Sequence, residues 1–236
     1  MPMIRTLRPA RKHLALLAGL VAMLVVQPLI GHRTLAAGVF CDLVLFTICL
    51  YIFLIVFGGR REMPTALALI LPAFASNFAI YVLTDGAKMV AEVLYHCFMV
   101  MFLGFAVTVI LGDILRKSVI GGDDVVGALC GYILVALVWA SLYTLTYVLA
   151  PHAFSVNKDI VWRLAEWHQR RALFDYLSFT TLMTLGYGDL TPVGPPAYTL
   201  TWLEVMCGQF YMAVVVAQLV GLKLAQALRG DRPESK

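Results

Sequence analysis

Apolar residues in this chain run in long blocks, and polar residues are confined to short seams between them. The blocks cover residues 14–30, 35–57, 66–83, 89–111, 125–149 and 197–224. Each lies near or above the roughly 18 residues that a helix needs to cross a hydrocarbon core, the third only marginally. Helices are expected because lipid offers no partner for backbone polar groups. Pro72, inside the third block, predicts a kink there. A further apolar run at 173–183 is too short to cross, and a glycine-rich stretch follows it. A short helix plus a glycine-rich strand between two full spans is the pattern of a re-entrant loop. The expected fold class is an all-α membrane protein with six transmembrane helices and a re-entrant segment between the fifth and sixth.

Composition strengthens this picture. The 236 residues are 61% hydrophobic and 14% charged, against about 25% charged in ordinary soluble domains. With the N-terminus inside, twelve of the eighteen Lys and Arg residues fall on the inner side. Six fall outside, at Arg33, Lys88, Lys158, Arg163, Arg170 and Arg171. Four of those six belong to one long loop, where the positive-inside rule has least force. The expected location is therefore the cell membrane, multi-pass, with both termini cytoplasmic. The net charge of +4 reads as a topology signal and gives no support to nucleic-acid binding. The first block is longer than a signal-peptide core and lacks a small-x-small site directly after it, so a retained helix is expected. All five cysteines fall inside expected spans, which points to apolar packing in place of disulfides.

Two segments follow from the seams. Residues 1–117 hold four closely spaced helices, and residues 118–236 hold two helices separated by a connection over 151–196. Within that connection Trp162 and Trp167 suggest an interfacial helix near the outer leaflet.

The candidate chemistry lies at Thr181-Leu182-Met183-Thr184-Leu185-Gly186-Tyr187-Gly188-Asp189. This nonapeptide resembles the potassium channel family, whose TxxTxGYGD pattern it meets at all six fixed positions. At average residue frequencies such a match arises by chance at roughly 10⁻⁸ per position. The likeness is specific over 173–212 and weak over 1–117, where only the helix count is shared with a voltage sensor. It implies a homotetramer about a cyclic axis, conducting K⁺ through the bilayer, with K⁺ as permeant ion and no cofactor. The potassium channel filter is the established example of carbonyl rings that replace an ion's hydration shell. By that resemblance Thr184, Leu185, Gly186 and Tyr187 supply the rings. Gly186 and Gly188 permit the alternating backbone hand, Tyr187 wedges the filter against the pore helix, and Asp189 sits at the outer mouth. The C-terminal end of the 173–183 helix, partly negative, favours a cation in the cavity.

In the last block, Gly208 stands nineteen residues after Asp189, where the family's inner helices carry a glycine hinge. Close helix packing is the equal alternative. The same alignment turns Gln209, Met212, Ala213 and Val216 to the cavity, with Val220 and Leu224 nearer the cytoplasm. Two features depart from the family. Tyr176 and Thr180 stand where many relatives place a Trp and sometimes a Glu that support the aspartate behind the filter. Glu204 is an acid inside a span, costly without a partner; a hydrogen bond to Thr180 or Thr181 is favoured over a pore-lining charge.

The fourth block carries no arginine ladder: between Lys88 and Arg116 the chain has only His96 as a basic-type side chain. This argues against arginine-based voltage sensing. Asp42, Glu92 and His96 remain as ionisable groups inside spans, with packing or mutual pairing expected and proton sensing by His96 as the sharper alternative. No HExxH and no histidine pair at i, i+4 occurs, so an enzyme is not expected. The alternatives to a K⁺-selective channel are a poorly selective cation channel and a non-conducting scaffold or regulatory subunit.

Overall fold

A computed structural model describes residues 12–30, 40, 42–44, 46–48, 50, 61–165 and 167–230. The chain runs through α1 (Lys12–Ile30), α2 (Met63–Val82), α3 (Asp85–Leu115) and α4 (Gly122–Leu149). It continues through β1 (Phe154–Val156), α5 (Trp167–Leu182), β2 (Leu190–Pro192) and α6 (Pro195–Phe210). A π-helical turn (Tyr211–Val216) then leads into α7 (Ala217–Gly230). Between α1 and α2, residues 40, 42–44, 46–48 and 50 are helical; the rest of the expected second span lies outside the described residues, as do Cys41 and Cys49.

Among the described residues four helices are long and apolar enough to cross a membrane: Met63–Val82, Gly86–Leu115, Gly122–Leu149 and Pro195–Leu228. Local chemistry sets their ends. Pro64 lies in the first turn of α2 and Pro195-Pro196 open α6, where a missing N–H is harmless. The Gly121 N–H that precedes α4 donates to the Asp124 carboxylate at 2.8 Å, and Lys117 pairs with the same side chain. Asp123 accepts from the His13 backbone N–H at 3.2 Å and meets its ring Nδ1 at 2.7 Å, which fixes the start of α1 on the start of α4. The α2 helix runs through Pro72 without interruption.

The largest packing surfaces join α3 to α4 and α2 to α3, with α1 and α5 on other faces of α4. Leu16, Leu20, Ile70, Phe74, Phe102, Ile110 and Leu134 belong to one apolar cluster running through both halves of the chain. A second cluster around Tyr143, Phe154, Phe174 and Leu177 lies under the loop region. At two places a glycine lets the helices approach closely. A Cβ at Gly131 would lie 2.8 Å from the Tyr211 hydroxyl, and one at Gly208 would lie 2.7 Å from the Leu182 carbonyl oxygen.

Two sequence expectations need amendment. Among the described residues the fold is helical except for a two-stranded antiparallel ribbon, in which Phe154, Ser155 and Val156 pair with Pro192, Thr191 and Leu190. Three-residue strands are too short to leave a periodic signature. The interfacial helix over Trp162 and Trp167 is absent as such. Trp162 sits exposed on a short 3₁₀ turn (Val161–Leu164). Trp167 opens α5 and is buried against Tyr95 and His96, with ring centroids at 5.4 Å from each.

Candidate functional site

The site is built where α5 ends. Met183 N–H still bonds the Phe179 carbonyl four residues back, at 3.1 Å. Thr184 N–H then turns to Thr181 O at 2.9 Å, and the Leu185 and Gly186 N–H groups both reach Thr180 O, at 2.7 and 3.4 Å. The helix's last carbonyls, which lack intrahelical partners, thus hold the start of the following strand.

That strand alternates in hand. Thr184, Gly186 and Gly188 have φ of +59°, +54° and +81°, and Leu185 and Tyr187 between them are not positive. Alternation lets successive carbonyls face one line. Glycine takes such angles freely, whereas an L-residue there costs roughly 1–2 kcal/mol. Thr184 is the one non-glycine at positive φ among the described residues, and a β-branched side chain there is a true outlier. Strain of this kind persists where the surroundings impose it, here through the hydrogen bonds to Thr180 and Thr181.

The strand's outward face is uncovered. Leu185 and Tyr187 are 54% and 69% exposed. The Tyr187 ring lies parallel to that of Tyr176, at 6.4 Å and 4°, so Tyr187 faces a side chain of α5. Burial first, and then the Asp189 carboxylate, push the Tyr176 phenol up to about 12. Tyr176 therefore stays protonated, with Asp189 among the groups that hold it so. Thr180 contributes by its carbonyl: its hydroxyl bonds back to Tyr176 O and Leu177 O, both at 3.0 Å.

Glu204 on α6 is fully buried. Its partners are not the expected Thr180 or Thr181. Tyr143 on α4 donates to Oε2 at 2.5 Å, and Ser178 on α5 lies 2.5 Å from Oε1. The Ser178 hydroxyl is also 2.7 Å from Ala136 O on α4. One hydroxyl proton cannot serve both acceptors. A neutral carboxyl satisfies every atom: Tyr143 donates to Glu204, Glu204 to Ser178, and Ser178 to Ala136. Glu204 thus ties three helices at mid-height of the pore helix. Thr181 faces the neighbouring i+3 position of α5, which is why spacing alone selected the wrong hydroxyl.

Gly208 packs on Leu182 at the end of α5. Gln209, Met212 and Val216 line an apolar groove of about 840 Å³ with Leu182, Met183, Tyr132 and Val220. Ala213 and Leu224 are exposed beside it. The groove opens under the strand, between α4 and the inner helix. The π turn begins where Tyr211 reaches across to Ala128 O at 2.5 Å.

At the other end of α5 stand residues that sequence reasoning did not single out. Arg170 pairs with Glu92 on α3, and Arg171 Nη1 lies 3.4 Å from Asp42 Oδ1. Asp42 Oδ2 also accepts from Tyr81 at 2.5 Å and from Asn77 at 3.1 Å. Tyr81 in turn lies 3.0 Å from His168 Nε2. Asp42 and Glu92 therefore pair with arginines at the start of α5 and not with each other. The signal was present: the expected topology puts all four charges on one side, two acids in spans and two arginines at the head of an apolar run. His96 is buried edge-on to Tyr95 at 5.0 Å, with no hydrogen-bond partner at either ring nitrogen.

Residues 128–222, from α4 to α7, match a family described as ion channel. Over 76 residues the chain is 36% identical to the inward rectifier potassium channel Kirbac3.1 of Paramagnetospirillum magnetotacticum. That likeness covers 32% of this chain and 25% of the relative, so the two share about a quarter of the relative's length. No solved structure matches.

Proposed function

We propose that this chain, which belongs to the potassium channel family through its ion channel segment at residues 128–222, is one subunit of a homotetrameric, K⁺-selective channel. One observation carries the reading: a strand of alternating hand at 184, 186 and 188 leaves the C-terminal end of a pore helix. Four such strands about a cyclic axis stack rings of carbonyl oxygen from Thr184, Leu185, Gly186 and Tyr187. These rings take the place of the water a K⁺ ion sheds. The half-negative end of α5 favours a cation in the cavity below, which Gln209, Met212, Ala213 and Val216 line. The exposed Leu185, Tyr187 and Met212 form the face that the neighbouring subunits and the ion path cover. The first segment, 1–117, carries no arginine ladder, so the channel opens without steep intrinsic voltage dependence.

The test uses the full chain purified into liposomes. K⁺ flux with a reversal potential that follows the K⁺ gradient, and little Na⁺ permeation, is the expected result. Equal K⁺ and Na⁺ permeation replaces it with a poorly selective cation channel. No flux in correctly inserted tetramers leaves a non-conducting scaffold.

A further inference from the structure

In a voltage sensor the arginines sit on the helices before the pore. Here the arrangement is inverted: acids sit on those helices, and the arginines sit on the pore helix itself. Arg170 pairs with Glu92, donates to Leu164 O at 3.1 Å and stands 5.8 Å over the Tyr147 ring. Arg171 meets Asp42 and stands 5.5 Å over Tyr95. His168, one turn earlier, reaches Tyr81, which also holds Asp42. All four charged side chains are at most 14% exposed. A buried pair that loses one partner leaves a charge with no compensation, so these contacts are held in register strongly. From Arg171 to Thr180 is nine residues of continuous helix, roughly 13 Å of rigid rod. Thr180 is the residue whose carbonyl holds Leu185 and Gly186.

We propose that Arg170 and Arg171 are positioning residues for conduction: through Glu92 and Asp42, the helices before the pore set the placement of the pore helix and so the conductive state of the strand at its far end. The proposal rests on the channel reading above. It assigns to residues 1–117 a mechanical task that needs no charge moving through the field. Coupling through a rigid element between two packed bodies is the physical route.

The experiment is a charge-exchange cycle on the full chain in liposomes, with Glu92→Arg, Arg170→Glu and the pair together. Readouts are K⁺ flux per inserted tetramer, the K⁺ to Rb⁺ permeability ratio and tetramer melting. Each single exchange is expected to lower flux about ten-fold and to shift the K⁺ to Rb⁺ ratio, and the double exchange to restore both at least halfway. Should an exchanged charge fail to insert, Glu92→Gln, Arg170→Gln and Asp42→Asn remove one partner at a time and carry the same expectation. Lowered melting with unchanged flux per tetramer and unchanged K⁺ to Rb⁺ ratio would make the contacts merely structural and overturn the proposal. So would wild-type flux in the single variants, or losses in the double that simply multiply. Wild-type protein that conducts no K⁺ would instead sink the channel reading itself.

Discussion

The two ends of the pore helix are fastened by different chemistry. At its head, Arg170 and Arg171 reach residues 78 and 129 positions earlier in the chain, and charge does the holding. At its foot, Thr180 and Thr181 hold Thr184, Leu185 and Gly186 through backbone bonds spanning three to six residues. The middle is fixed by neutral hydroxyls, Tyr143 and Ser178 on Glu204. Local backbone bonds with alternating φ set the shape of the strand, whereas long-range side chains set where the helix that bears it stands. Shape and placement can therefore be disturbed separately.

The largest effect is expected from attacking shape alone. A Cβ at Gly186 meets nothing within 4 Å, so Gly186→Ala has room, but its φ of +54° costs roughly 1–2 kcal/mol per strand. Repeated over four strands this should abolish K⁺ flux while insertion and helix content by circular dichroism stay normal. Wild-type-like flux would remove the strand from the ion path.

Placement at mid-height should come next. Glu204→Val leaves the Tyr143 hydroxyl without its partner, at about 1–3 kcal/mol, and should lower tetramer melting and K⁺ selectivity together. Glu204→Gln keeps an acceptor for Tyr143 and a donor for Ser178, so melting and conductance should stay near wild type. A Gln variant that melts normally but conducts poorly would put this side chain in the ion path after all.

Gly208→Ala separates packing from hinging. Its Cβ would lie 2.7 Å from Leu182 O, an overlap that costs typically 1–3 kcal/mol, so thermal melting should fall measurably. A hinge alone predicts altered opening with unchanged melting. The smallest effect belongs to Tyr176→Phe. The hydroxyl it removes is partly in solvent and acts on Asp189 only weakly, so the loss should cost below about 1 kcal/mol. It should shorten open dwell times in single-channel records while leaving the tetramer intact. Because Tyr176 is pushed up to about 12, raising the pH from 6 to 9 should not reproduce that change.

The foot of the helix was legible in the sequence because its determinants are consecutive: six fixed residues within nine, two of them glycines at the positions whose φ proves positive. Helix blocks were legible because lipid imposes length. The head was not, since pairing Arg171 with Asp42 requires knowing which helices adjoin, and hydropathy blocks carry no neighbour information. The partner of Glu204 failed for a related reason. Spacing on α5 offers Thr180, Thr181 and Ser178 within one turn, and only the crossing of α4 and α6 selects Ser178. Trp167 was misplaced because composition near a membrane surface favours interfacial tryptophans, while an adjoining Tyr95–His96 pocket made burial available.

The ribbon of β1 and β2 closes a loop at its base. Phe154 faces Pro192 and Asn157 N–H reaches Asp189 O at 2.9 Å, so residues 157 and 189 meet at one neck. The entropy of closing a loop rises only with the logarithm of its length, about 0.6 kcal/mol for each doubling. Several residues added to the exposed turn at 157–160 should therefore change the closure entropy little, while the helix and strand inside the loop stay anchored. Past Pro192, which has no N–H of its own, the Val193 and Gly194 N–H groups both reach Ala153 O, at 2.8 and 3.1 Å. A chain built this way could lengthen this loop over evolutionary time without disturbing the strand that the loop carries.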